Sequence, residues 1–195
     1  MSESLHIQRV SGPAINPWLP DLARLRIRVF REFPYLYEGS VAYEEKYLQT
    51  YVDAPDSVMV LVRDSERVVG ASSGLPLDAE PSNVIEPFLA QGYNPRRIFY
   101  YGESVLLPEY RGRGLGKRFF EEREAHVRGL GRFDIACFCA VQRPAGHPRR
   151  PADYAPLDAL WNRQGFVRHP ELQTSFSWRD LDEDAESPKP RWCFG

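Results

Sequence analysis

Residues 108–122, PEYRGRGLGKRFFEE, set glycines at 112, 114 and 116 among Arg111, Arg113 and Lys117, and then turn helical. Glycines before a helix let a ligand approach the backbone closely. The first-turn N–H groups lack helical partners, and the helix dipole favours negative charge. The chemistry this spacing supports is capture of a phosphate-like anion; the alternative is a solvated basic turn. Two better-known phosphate loops do not fit. G-x-x-x-x-G-K-[ST] fails because three residues separate Gly112 from Gly116 and Arg118 follows Lys117. G-x-G-x-x-G fails because the spacing here is G-x-G-x-G.

Upstream, Glu103 stands in an otherwise apolar run, IFYYGESVLL, beside Gly102. A glycine inside a strand pattern marks a bulge or a close approach. A carboxylate partly buried there is a candidate general base, and the alternative is a Glu bonded to a neighbouring Ser, Tyr or Arg with no chemical duty. Tyr154 is a usable proton donor if oriented. His147, in the proline-rich loop 142–153, is a second titratable candidate, although a lone loop histidine more often serves a local hydrogen bond. Cys137 and Cys139 alternate faces of one strand, so a shared metal is not expected and both read as packing residues.

The loop satisfies [RQ]-x-x-G-x-[GA] through Arg111, Gly114 and Gly116, and VLLPEYRG precedes it. It resembles the acyl-CoA loop of the GNAT superfamily of acyl-CoA-dependent acyltransferases, and the order of elements over about residues 5–180 is similar to that family's. The resemblance implies acetyl-CoA as co-substrate, with no metal. It implies that the backbone of Val105, Leu106 and Leu107 pairs with the pantetheine arm like an added strand. The amides of Arg113, Gly114, Leu115, Gly116 and Lys117 would cradle the pyrophosphate, and a strand amide near Leu106 would hold the thioester oxygen. N-acyl transfer needs a neutral amine, a polarised carbonyl and a route out for the thiolate, which makes Glu103 the expected base and Tyr154 the expected acid. Two departures stand out. Trp161 fills the position of the family's usual acid tyrosine, and an indole N–H cannot practically protonate a thiolate. Tyr154 occupies a position where the family often has a coenzyme-contacting Asn, so a binding or packing role stays open for it. The run RPAGHPRRPADYAPLDALW looks similar to a subgroup of the superfamily, without identifying an acceptor. Its Arg143, Arg149 and Arg150 are candidates for the 3′-phosphate or an acidic acceptor. Phe33, Tyr35 and Tyr37 fall where the family shapes its acceptor pocket, though such clusters are more often core.

These residues need a mixed frame. LHIQRV (5–10) alternates as a short strand. Asn16–Pro17 and Pro20–Asp21 open a helix in which Leu22, Leu25 and Val29 share a face, with Arg24, Arg28 and Arg31 elsewhere. A second helix is expected over 40–51 from Ser40, a hairpin over 57–63 and 67–75, and an irregular or briefly helical stretch over 80–95. One long strand is expected over 97–107, then the loop and a helix to about 128. A buried strand over 133–141, a helix stopped by Gly165 and a last strand over 172–179 complete the order. The fold class expected is α/β (α+β), a mixed, mostly antiparallel central sheet flanked by helices, as a GNAT fold. Residues 1–195 read as one domain with an acidic, proline-bearing surface segment over 182–195.

Composition narrows the function. A net charge of −2 argues against general nucleic-acid affinity. Charges throughout the first thirty residues argue against a signal peptide, and VMVLV and IACFCAV are too short to span a bilayer. Three cysteines do not make a disulfide framework, so a cytoplasmic setting is expected. The expected partner is a small-molecule or peptide amine acceptor, with no nucleic acid or membrane, and the late strands could pair in a homodimer. The rival reading is a non-catalytic acyl-CoA sensor or scaffold, with Trp161 marking a lost acid.

Overall fold

The computed structural model describes residues 5–195. Its centre is an eight-stranded sheet built from β1 (His6–Val10), β2 (Val58–Asp64), β3 (Arg67–Pro76), β4 (Ile98–Tyr100), β5 (Ser104–Leu106), β6 (Ile135–Val141), β7 (Arg168–Trp178) and β8 (Ser187–Phe194). The order is β1-β2-β3-β4-β6-β8-β7, with β5 pairing β3. All pairings are antiparallel except β4 with β6. Val58–Val62 is buried throughout, the pattern of a strand covered on both faces. The cover comes from α1 (Leu19–Phe30), α2 (Val41–Asp53) and α4 (Leu115–Leu130), while α3 (Ser82–Ala90) packs on β7 and α5 (Asp158–Arg163) precedes it.

The helix boundaries follow local chemistry. The Ser40 hydroxyl accepts from the Tyr43 N–H at 3.3 Å and starts α2. Gly114, at φ +78°, starts α4, and Gly131, at φ +66°, ends it with its N–H on Val127 O.

The structure corrects the sequence in three places. The long strand expected over 97–107 is divided into β4 and β5 by a bulge at Tyr101–Glu103. There the Tyr101 N–H turns to Cys137 O (2.7 Å), while Gly102 N–H donates to Ser73 O (3.1 Å) and Ser73 N–H to Glu103 O (3.0 Å). A Cβ on Gly102 would lie 2.0 Å from the Tyr51 hydroxyl oxygen and 2.7 Å from Ser73 Oγ, so only glycine fits this approach. Second, the strand over 172–179 is not the last. Much of the segment expected on the surface becomes β8, inserted between β6 and β7. Its prolines are tolerated because Pro190 O accepts from Gln142 N–H at 2.9 Å, which turns that residue's nitrogen, and that of Pro188 two residues earlier, away from β7. Third, Cys139 is not a packing thiol. β8 brings Cys193 into register opposite it, with Cα atoms 4.1 Å apart, and the two form a disulfide. Cys137 stays free and buried.

Candidate active site

The bulge separates two directions of pairing. β4 and β5 both pair with β3, but only β4 also pairs with β6, and a cleft opens where β5 and β6 diverge. The N–H of Leu107 donates to Val69 O (3.0 Å), and Ser73 N–H reaches Glu103 O, so residues 103, 105 and 107 face β3. Alternation then turns the backbone groups of Ser104 and Leu106 toward the cleft. Leu106 O already accepts from Arg111 Nε at 3.2 Å, and the Leu106 N–H is left for a ligand. Of Val105, Leu106 and Leu107, only Leu106 presents its main chain to the cleft.

At the cleft's end, the glycine loop has the geometry of an anion cradle. Gly112 and Gly114 take φ of +75° and +78°, conformations that a Cβ disfavours. No protein atom lies within 4 Å of where a Cβ on Gly114 would stand. The first bond into α4 is Arg118 N–H to Gly114 O at 3.2 Å. Among the described residues, the amides of Arg113, Gly114, Leu115, Gly116 and Lys117 therefore donate to no protein acceptor, at the positive end of a 16-residue helix. The side chains are less free than their number suggests. Arg111 also pairs with Glu32 (2.8 Å), Arg113 donates to Glu109 O (3.0 Å), Lys117 pairs with Glu121 (3.2 Å) and Arg118 with Glu122 (2.8 Å). The backbone is what fits a pyrophosphate; the side chains brace the loop and add a positive field.

On the other side of the bulge, Glu103 lines a cavity of about 80 Å³ with Arg26, Glu44, Tyr47, Tyr100 and Trp178. Glu103 is not an isolated carboxylate. The guanidinium of Arg26 binds both Glu103 and Glu44, and all three side chains are at least nine-tenths buried. Tyr47 and Phe30 sandwich that guanidinium, with ring centroids 4.4 and 4.9 Å from its carbon. From behind, buried Arg123 donates to Ser73 O and Glu103 O, each at 3.3 Å, and fixes the bulge. Burial lowers the Arg123 pKa to about 10. Nearby, burial and then the Glu103 charge push the Glu80 carboxyl up to about 8, against the pull of Arg191. Tyr47 and Tyr51, hydroxyl oxygens 3.3 Å apart, are raised chiefly by burial.

Tyr154 lies outside the cavity lining. Its ring packs edge-on against Phe33 (4.7 Å) under Arg150 (4.9 Å), and burial, ahead of an opposing effect of Arg150, raises its pKa. Trp161 packs against Phe138 and Phe194 at 5.1 and 4.8 Å. His147 Nδ1 accepts from the Arg149 N–H (3.2 Å) in a local turn. Arg143 is consumed by structure: it grips Asp180 (2.6 and 2.8 Å), Pro34 O and Tyr35 O, and so ties its loop to the segment between α1 and α2. Arg149 pairs with Asp182. Tyr35 and Tyr37 do line the cavity; Phe33 does not. Among the described residues, no three metal-ligating side chains cluster, and no helix is long and apolar enough to cross a membrane.

Sequence reasoning missed Arg26, Glu44 and Glu80. For the first two a signal exists: Leu22–Arg26–Phe30 and Glu44–Leu48–Val52 recur at i, i+4, which puts each charge on an apolar helical face.

The comparisons agree with this geometry. Residues 22–150 match the acetyltransferase (GNAT) family. The fold is similar to ribosomal-protein-alanine N-acetyltransferase from Brucella melitensis, at 14% identity and a TM-score of 0.61 over 97% of this chain and 98% of that one. It is also similar to an acetyltransferase from Thermus thermophilus, at 18% and 0.55 over 98% and 96%. A Salmonella typhimurium protein solved with its cofactor acetyl-CoA aligns at 9% and 0.56 over 98% and 92%. No curated protein matches the sequence. The family match takes in α1, the bulge, the cleft and the whole glycine loop, and the chain belongs to the GNAT family of acetyltransferases, enzymes that use acetyl-CoA.

Proposed function

We propose that the protein transfers an acetyl group from acetyl-CoA to a primary amine by direct attack, with the acceptor in the Glu103 cavity. The observation that carries this reading is the juxtaposition, on one bulge, of a free strand amide at Leu106 and a carboxylate at Glu103. Acetyl-CoA supplies an activated acyl thioester. The free amides of residues 113–117 bind its pyrophosphate, and the Leu106 N–H donates to the carbonyl oxygen, where negative charge grows as the amine attacks. Glu103 takes the ammonium proton. An N–C bond forms, the C–S bond breaks with its electron pair on sulfur, Tyr154 protonates the thiolate, and the proton that the nitrogen sheds in becoming an amide restores the Tyr154 hydroxyl through solvent. What supports Tyr154 is that burial favours its protonated form, as a donor needs, and that a charge on Tyr35, in the cavity wall, would reach its hydroxyl.

The test is thiol release from acetyl-CoA across a panel of amines, with calorimetric binding beside it. Gly114→Val forces a β-branched residue to φ +78° and fills the space before the amides. It should weaken acetyl-CoA binding at least tenfold, the equivalent of about 1.4 kcal/mol. Glu103→Gln should keep that binding and lower turnover by about a hundredfold. Full turnover in Glu103→Gln would remove Glu103 as base, and binding without turnover of any amine by the wild type would favour the sensor reading.

A further inference from the structure

The cavity beside Glu103 adjoins a second of about 300 Å³, with Tyr37, Tyr43, Ser177 and Trp178 shared between them. The outer lining carries Glu38, Asp184 and Glu186 against a single cation, Arg179. Glu38 is tied to Arg31 at 3.1 Å. Asp184 and Glu186 are exposed and make no ion pair among the described residues, and the charge of Glu186 reaches the Tyr43 hydroxyl. The inner end balances Glu44 and Glu103 against Arg26 and Arg191, yet leaves one carboxylate oxygen over. Glu44 is fully buried and lines the cavity; its Oε2 binds Arg26, but its Oε1 accepts no hydrogen bond. A buried carboxylate oxygen without a donor is costly, and a ligand N–H is the natural group to satisfy it. The Tyr37 hydroxyl is a protein group that approaches Glu44, too loosely to complete a bond to Oε1: burial, then the charge of that carboxylate and hydrogen bonding to it, raise the Tyr37 pKa.

From this arrangement we infer that the acceptor is a small amine with two or more positive charges, a diamine or polyamine. The inference rests on the acetyl-transfer reading above and specifies its substrate class. One amino group would sit at the Glu44 and Glu103 end, the second at Asp184 and Glu186, and the alkyl chain between the tyrosine faces. Those faces attract cations and shed water from methylene groups. A monoamine of the same length satisfies only the inner end. An acidic acceptor meets like charge at the mouth, and a neutral one gains no ion pair there.

The experiment compares 1-aminobutane, 1,4-diaminobutane, spermidine and a short peptide with a free N-terminus as acceptors for the wild type and for Asp184→Asn/Glu186→Gln. The diamine or spermidine should have kcat/KM about tenfold above aminobutane, through KM, and the advantage should shrink in high salt. In the double variant the preference should collapse toward equality. Equal kcat/KM for mono- and diamine, a preference indifferent to the double substitution, or acetylation of the peptide alone would overturn the inference while leaving acetyl transfer intact. If no amine is turned over, the acetyl-transfer reading fails, and calorimetry then decides this one separately. Spermidine binding lost in the double variant supports the cation site, and no binding refutes it.

Discussion

Glu80 allows the balance of buried charge around the cavity to be measured. The perturbation is Glu80→Gln, a neutral near-isostere. Burial, with the Glu103 charge second, raises the folded-state pKa from the ordinary 4.5 to about 8. Between those values the folded protein holds a proton that the unfolded chain has released, so stability is intact below the lower value and falls as pH rises toward the upper one. Each tenfold change in proton affinity is about 1.4 kcal/mol, so the whole window amounts to something on the order of 5 kcal/mol. Glutamine removes that slope. Near pH 5 the two proteins should unfold at similar urea concentrations, and near pH 9 the variant should be more stable by roughly 3–5 kcal/mol. Titrations common to both proteins cancel in the difference between their curves. Parallel stability curves would refute the reasoning, because they would mean that Glu80 is already ionised in the fold. A constant loss at every pH would show instead a carboxylate paired with Arg191.

Two further outcomes test the geometry around the bulge. Gly102→Ala drives a methyl group into the Tyr51 hydroxyl; a stability loss of about 1–3 kcal/mol by urea midpoint is expected, together with reduced turnover as Glu103 shifts. Tyr154→Phe should lower the rate by about tenfold or more and alter the high-pH limb of its profile; an unchanged profile would make Tyr154 a packing partner of Phe33 alone.

What the sequence disclosed was what local chemistry encodes. The glycine loop is legible because positive φ and free helix-start amides are properties of a few consecutive residues, and Gly112, Gly114 and Gly131 adopt the conformations their type permits. The anion cradle needed no tertiary information. β8 was hidden because Pro188, Pro190 and the acidic run before them oppose a strand, and only the finished sheet provides an edge on which those prolines lose no bond to β7. Cys193 was hidden with it, and so was the disulfide to Cys139. Arg26 was obscured by company: with Arg24 and Arg28 in the same helix and Arg31 just past its end, its residue type carries no information, and only its step from Leu22 to Phe30 sets it apart.

That hidden arginine explains how the two halves of the site hold their relative position. Arg26 on α1 binds Glu44 on α2 and Glu103 on the bulge, so one guanidinium joins both helices of the cavity wall to the strand that carries Leu106. Arg123 on α4 grips the same bulge through Ser73 O and Glu103 O. The glycine loop lies at the start of that helix, so the anion cradle and the acceptor cavity share a rigid element. Stability does not call for such an arrangement. Desolvating buried ions costs several kcal/mol per ion, and apolar side chains of similar volume are often as stable. A guanidinium fork offers direction instead. It fixes which way Glu103 points and leaves Glu44, in the cavity wall, with one oxygen not hydrogen-bonded. The buried charges are therefore better explained by a fixed orientation of carboxylates at the cavity, where the proposed amine would sit, than by the stability of the fold, and that orientation would link the proposed acyl-carrier cleft to the proposed acceptor cavity.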